Sequence, residues 1–291
     1  RARETGAAVS LQTSLADDAM IARAAEALPF LDRLVVALDA ASAGTYAAVR
    51  RNGSFSVVAE GLRFLARERA RRGLARPALA VSFLILAENA HELSAFARAA
   101  FRLGADSALY LTLDGFGIED RLAALRGALP ADALADRLLA AESAAARIGL
   151  PTNLGALRRS RILLDYGYTD VPLPRNGPCP RPWVSTFVRV NGDVRPCARY
   201  PYGPEGHLGN AAAGSFRAEI WNGPAYRALR RALHGGREGP GRTSARAASA
   251  AGEAAPARPV ALDFAACRCC PVPLVEGIRL PGRRAAARRT P

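Results

Sequence analysis

At 291 residues, half of them hydrophobic, the chain is long enough to bury a large core and to divide into more than one domain. It contains no run of the roughly 18 apolar residues that a membrane-crossing helix needs, so we expect a soluble, cytoplasmic protein with no membrane partner. The formal charge of +14 invites a nucleic-acid partner, yet the chain has no lysine, and its abundance of Arg and Ala fits GC-rich coding. Five arginines and no acid fall in Arg279–Pro291. The charge therefore reads as solvated surface plus a basic, disordered tail over 274–291, not as a nucleic-acid site.

The chain opens on Arg1 with no charged-then-apolar leader pattern, and we expect a fragment whose amino terminus is missing. Ala8–Thr13 predicts a strand, followed by a helix over Asp17–Leu28. Arg33–Leu38 predicts a buried strand, and Thr45–Arg50 and Phe55–Arg72 predict helices. In the longer helix Val58, Leu62 and Leu65 recur at helical spacing. Pro77–Leu86 predicts a third strand; His91–Leu103 predicts a helix with Asn89 as cap candidate and Gly104 as its end. Ser107–Leu113 predicts a fourth strand. Near-continuous apolar strands alternating with helices imply an α/β fold with a parallel sheet.

Two Ala-rich helices follow, over Ile118–Leu129 and Ala131–Ile148. The turn-rich span 151–178 reads as a linker between a first domain, 1–150, and a second, 179–273. Within the second, Thr186–Val190 and Asp193–Arg195 flank Asn191-Gly192, which predicts a hairpin with a type I′ turn. Ser215–Trp221, with Ser215 as cap, and Ala225–Leu233 predict helices. Residues 235–262 lack periodicity and read as a flexible insertion.

All five cysteines lie between Cys179 and Cys270, and none precedes them. Core-filling thiols would scatter, so the confinement argues for a metal site. Cys179 and Cys197 bracket the hairpin, while Cys267 and Cys270 have the two-residue spacing that lets adjacent thiolates face one ion. Four thiolates complete either a tetrahedral zinc or a 4Fe–4S cluster; Cys269 would point elsewhere, unless it exchanges roles with Cys270. Structural disulfides are the alternative, and they require an oxidising compartment.

Cys179, twelve residues, Gly192, four residues and Cys197, followed by HLGN (His207–Asn210), SFRAEIWNGPAYRALRRAL and a closing Cys-x-x-Cys, resemble the SPASM domain. This is the auxiliary-cluster domain of many radical S-adenosylmethionine (SAM) enzymes. The segment LVVALDAASAGTYAAVRRNGSF (Leu34–Phe55) is similar to a stretch of the radical SAM barrel, and Phe83–Asp106 resembles its next strand–helix unit. The resemblance implies strands three to six of a partial (β/α)6 barrel followed by a small α+β cluster domain. It implies one auxiliary 4Fe–4S cluster on Cys179, Cys197, Cys267 and Cys270, with SAM as cofactor. It also implies a peptide or protein substrate and a ferredoxin or flavodoxin as reductant.

Family members bind a catalytic cluster through Cys-x3-Cys-x2-Cys, which this chain lacks, so the fragment is expected to be inactive alone. By resemblance Arg50 reaches the SAM carboxylate, Ala37 stands where the family has Ser, and Asp39 keeps an acidic position or caps the next helix. Thr13 and Ser14 stand where the family has Thr-Asn. Asp114 and Glu119, near the end of the fourth strand, are placed to line a substrate site. His91, His207 and His234 lack ligand spacing, and Trp183 and Trp221 read as core of the small domain. The competing reading is a non-catalytic zinc or iron–sulfur module that recognises a partner.

Overall fold

A computed structural model describes residues 6–113, 119–159, 181–197 and 207–234. They fall into two compact units, divided near residue 170.

The first unit carries four parallel strands in sequential order, β1 (Ser10–Thr13), β2 (Arg33–Ala37), β3 (Ala78–Leu84) and β4 (Ser107–Leu111). Sequential order with right-handed crossovers sends every connecting helix to one face of the sheet. The helices are α1 (Asp18–Ala27), α2 (Ala43–Val49), α3 (Phe55–Arg71) and α4 (Leu93–Arg102), followed by α5 (Glu119–Ala128) and α6 (Ala131–Arg147). Leu34, Val36, Leu79, Val81, Phe83 and Tyr110 are buried in one core with Leu62 and Leu65 of α3, Phe96 of α4 and Leu138 of α6. Phe83, Phe96 and Tyr110 stack at centroid distances of 4.7 to 5.7 Å, and the Tyr110 hydroxyl donates to the Leu93 carbonyl. The opposite face is lined by small side chains in register, Val35 beside Ala80 and Ala37 beside Ser82.

Local signals set the element ends. Asp17 accepts from the Met20 amide at 2.7 Å and caps α1. Gly104 has φ +85, and the Ala105 amide returns to the Ala100 carbonyl, which closes α4 as the sequence predicts. Asn89 departs from its expected role. Its side chain makes no capping bond, and a short 3₁₀ turn, Ala90–Glu92, precedes α4.

The expected linker over 151–178 begins instead as part of the first unit. Thr152 pairs with Ala108 as a parallel bridge, and the Ala108 amide donates to the Pro151 carbonyl. The Asn153 side chain bonds both the amide and the carbonyl of Tyr110 at 2.8 Å, imitating a strand neighbour. Helix α7 (Leu154–Arg159) then buries Leu154 in the main core. The turn formers around this stretch hid a segment whose backbone needs are met by β4.

In the second unit β5 (Phe187–Val188) and β6 (Val194–Arg195) form the expected antiparallel hairpin. The turn differs from type I′. Arg189 faces Asp193, and the Gly192 amide donates to the Arg189 carbonyl, leaving Val190, Asn191 and Gly192 as a three-residue connection. Gly192 alone is left-handed, with φ +86, whereas type I′ needs two such residues. The segment expected as a helix over Ser215–Trp221 is a π-helix, Phe216–Trp221, with Ser215 accepting from the Ala218 amide as its cap. Helix Pro224–His234 follows. Val194, Leu208, Ile220, Tyr226 and Leu229 make a separate small core. The predicted insertion and tail lie outside the described residues.

Candidate functional site

Within the first unit, the carboxyl ends of β2 and β3 gather polar side chains. Asp39 follows β2 in a left-handed backbone, φ +53, and is 5% exposed. Its Oδ1 accepts from the Leu84 amide at 2.7 Å. Its Oδ2 accepts from Arg50 Nε at 2.7 Å and also from the Nη2 of the same guanidinium. Asp39 therefore does not cap the next helix: Ser42 holds that position for α2. Ala37, the last residue of β2, is buried in the small-residue face. The structure brings Arg50 and Asp39 together, and the guanidinium expected to meet a ligand carboxylate already meets an internal one.

At this place Glu92 escaped the sequence reading, and Asn89 entered it only as a helix cap. Asn89, fully buried, accepts from the Leu86 amide and donates to the carbonyls of Asp39 and Leu84. Glu92, 8% exposed, accepts from the Ala41 amide and the Ser42 hydroxyl, both at 2.6 Å. Together they fix the backbone of residues 39–42 against α4. A buried Asn and Glu just before a helix look like ordinary caps in sequence, because their partners lie some fifty positions away. The Tyr46 ring packs under this loop, edge-on to Phe55 at 6.0 Å, and a Cβ on Gly53 would stand 2.8 Å from it. Burial raises the Tyr46 phenol, Arg50 opposes that rise, and Asp39 adds to it. Asp114 and the Glu119 side chain lie outside the described residues.

In the second unit Cys197 stands two residues after β6, half-buried. It is the cysteine among the described residues; Cys179, Cys267, Cys269 and Cys270 lie outside them. The hairpin expected to bring Cys179 and Cys197 together forms, and its β6 end delivers Cys197. Behind it Tyr226 is buried, its hydroxyl 2.6 Å from Thr186 Oγ1. Burial raises the Tyr226 phenol, the Thr186 bond and Arg230 pull the other way, and a Cys197 thiolate would raise it further.

HLGN forms a third strand-like segment on β6. The Val194 amide donates to the Gly209 carbonyl, and the Leu208 amide to the Val194 carbonyl. Asn210 reaches across to the Asn191 carbonyl at 2.9 Å, and a Cβ on Gly192 would lie 2.5 Å from Asn210 Oδ1. His207 bonds Asp193 Oδ1 at 2.9 Å. Hydrogen bonds from Asn191, then from His207 and Asn210, lower the Asp193 carboxyl below its ordinary value, against a smaller opposing effect of desolvation. Trp221 is half-buried and packs on Tyr226 at 5.1 Å, with the Arg230 guanidinium 4.5 Å from its ring centre. Trp183 corrects the expectation of a core residue: it is 38% exposed, on a one-turn helix, Arg181–Val184, that offers only Pro182 to the interior.

The scaffold around Cys197 is thus a glycine-dependent turn, a clasping Asn and an aromatic helix pair. Residues 179–243 match SPASM, the iron–sulfur cluster-binding domain. No curated protein matches the chain. The SPASM match implies iron–sulfur cluster binding and supports a radical SAM/SPASM-type protein. It contains Cys179 and Cys197 and ends before Cys267 and Cys270. Cys197 fits such a group by chemistry, since a Cys thiolate is the usual ligand of iron–sulfur clusters. Among the described residues no three His, Cys, Asp or Glu side chains gather at metal-ligand separation.

Proposed function

We propose that this chain is a radical SAM/SPASM-type protein whose second unit holds one auxiliary 4Fe–4S cluster through Cys179, Cys197, Cys267 and Cys270. The observation that carries this reading is the SPASM match over a segment whose turn and LGN clasp are hydrogen-bonded to β6, the strand that ends two residues before Cys197. When bound, such a cluster supplies one-electron transfer or a coordination point for substrate. The chain's own residues position it: the hairpin sets Cys197, and the Gly192–Asn210 contact holds the strand that carries it.

The first unit supports a sector of a (β/α)6 barrel, since sequential parallel strands with a small-residue face are what such a sector requires. At its strand ends Arg50, Asp39 and Ala37 would contact SAM, and the substrate would be a peptide or protein, with a ferredoxin or flavodoxin as electron donor. Residues 1–178 contain no cysteine, so this chain brings no ligands for a catalytic cluster to that unit. The Arg50–Asp39 pair favours a second reading of the same protein as a non-catalytic cluster or zinc module, since the guanidinium expected at the SAM carboxylate is engaged by an internal one.

The test is anaerobic reconstitution of the full chain with iron and sulfide, followed by iron and zinc counting. About four irons per chain, lost in Cys197→Ala and Cys270→Ala, is the expected outcome for one cubane cluster. Tight zinc with no iron uptake would overturn the iron–sulfur reading and leave the structural module.

A further inference from the structure

Among the described residues, the outer margin of the second unit's hairpin has the chemistry of a peptide-binding edge. Val194 turns its amide and carbonyl to Leu208 and Gly209, away from β5, so Val188 opposite it has no ladder bond to make with β6. Val188 therefore presents its N–H and C=O outward, and no hydrogen bond reaches them among the described residues. Its side chain is 45% exposed, and Val184 and Val190 are more exposed still. A groove of about 470 Å³ is lined by Val184, Ser185 and Thr186, the residues that lead into β5, together with Phe216, Arg217 and Trp221. Isolated apolar side chains are common on surfaces, but an open strand edge beside an aromatic-walled groove is not.

Charge selects the occupant. The described residues of this unit contain seven arginines against two carboxylates, Asp193 and Glu219. Asp193 is spent on Asn191, His207 and Asn210, whereas Arg217 is exposed and lines the groove. We infer that this edge docks an extended acidic peptide, which adds a strand to β5 and places an apolar side chain in the groove against Trp221. Main-chain bonds to Val188 supply affinity, and the groove with Arg217 supplies selectivity. The inference deepens the proposed peptide substrate or partner and rests on that reading only for the class of ligand.

The experiment is fluorescence anisotropy on the full chain with a labelled eight-residue peptide alternating Asp or Glu with Val. Its charge-reversed Lys/Arg counterpart and an acidic single-stranded oligonucleotide serve as competitors. Val188→Pro deletes the outward N–H while leaving the β6 ladder intact, because proline is tolerated on an edge where the N–H faces solvent. Arg217→Glu inverts the groove's charge at an exposed position that the fold does not use. The expected result is saturable binding of the acidic peptide, weakened tenfold or more by each variant and by the charge-reversed sequence. Equal binding of acidic and basic peptides, wild-type affinity in both variants, or stronger binding of the oligonucleotide than of the peptide would overturn it. Iron is counted in the same samples. Peptide binding without iron sinks only the cluster reading, and iron without selective binding sinks only the docking edge.

Discussion

Asp39 and Asn89 together show how a few side chains can set a loop. Asp39 adopts a backbone that most residues avoid, at φ +53, and its carboxylate holds the Leu84 amide and Arg50. Asp39→Ala is expected to destabilise the first unit by about 1–3 kcal/mol, chiefly by leaving the part-buried Leu84 amide unpaired, since the ion pair, with Arg50 34% exposed, counts for less. Asn89→Ala strands one amide and two carbonyls and should cost at least as much; chemical denaturation of each variant checks the order. At Gly192 the left-handed φ and the 2.5 Å approach to Asn210 act together. Gly192→Ala should lower stability by about 1–2 kcal/mol and reduce iron retention after desalting, whereas Gly127→Ala, where a Cβ meets nothing within 4 Å, should do neither.

At the scale of elements, helix α3 ends in a cluster of charge. Glu68 accepts from Arg71 and Arg72, and these bonds pull its carboxyl down to about 2. A carboxyl lowered in the folded state adds stability that is complete above its ordinary value near 4.5 and fades as pH falls towards 2. Helicity followed during acid titration should therefore drop later for the native chain than for Glu68→Gln, which lacks this contribution at every pH. The core under the same helix responds differently. Phe83→Ala removes a ring that contacts Phe96 and Tyr110 and should cost about 3–5 kcal/mol at any pH.

Most of the first unit's elements were legible, because the buried strands are continuous apolar runs and the helices have one apolar stripe. What escaped were features whose partners lie far along the chain. Thr152 and Asn153 look like turn residues until β4 is beside them. The π-helix at Phe216–Trp221 also has no periodic signature. Its register depends on Gly223, where a Cβ would lie 1.9 Å from the Glu219 carbonyl oxygen. Of the candidate metal site the sequence showed the order of the cysteines and the hairpin that carries Cys197. The Gly192–Asn210 contact was visible only as a motif, since nothing in a string of letters says which side chain fills the space a glycine leaves.

For the molecule as a whole, the two units differ in what holds them. The first has a core to which β2, β3 and β4 all contribute, and the second, among the described residues, buries five large or medium apolar side chains. A core that small rarely stands without a staple. Removing metal with a chelator should therefore abolish the near-ultraviolet signal of Trp221 and its neighbours while leaving the helical signal of the first unit. A chain that keeps both would show that the small core is self-sufficient.

The sheet of the first unit is finished at its β4 margin. Beyond β4, Pro151–Asn153 occupies the margin, and the Asn153 amide group answers Tyr110 as a strand would. At the other margin β1, largely exposed, pairs among the described residues with β2 alone. A sheet open at both ends can grow without limit, but one with a single open end can join one neighbour and then has none to offer. Whatever pairs with β1, the Asn153 side chain closes the β4 margin, and copies of this unit are denied the second edge contact that a fibre requires.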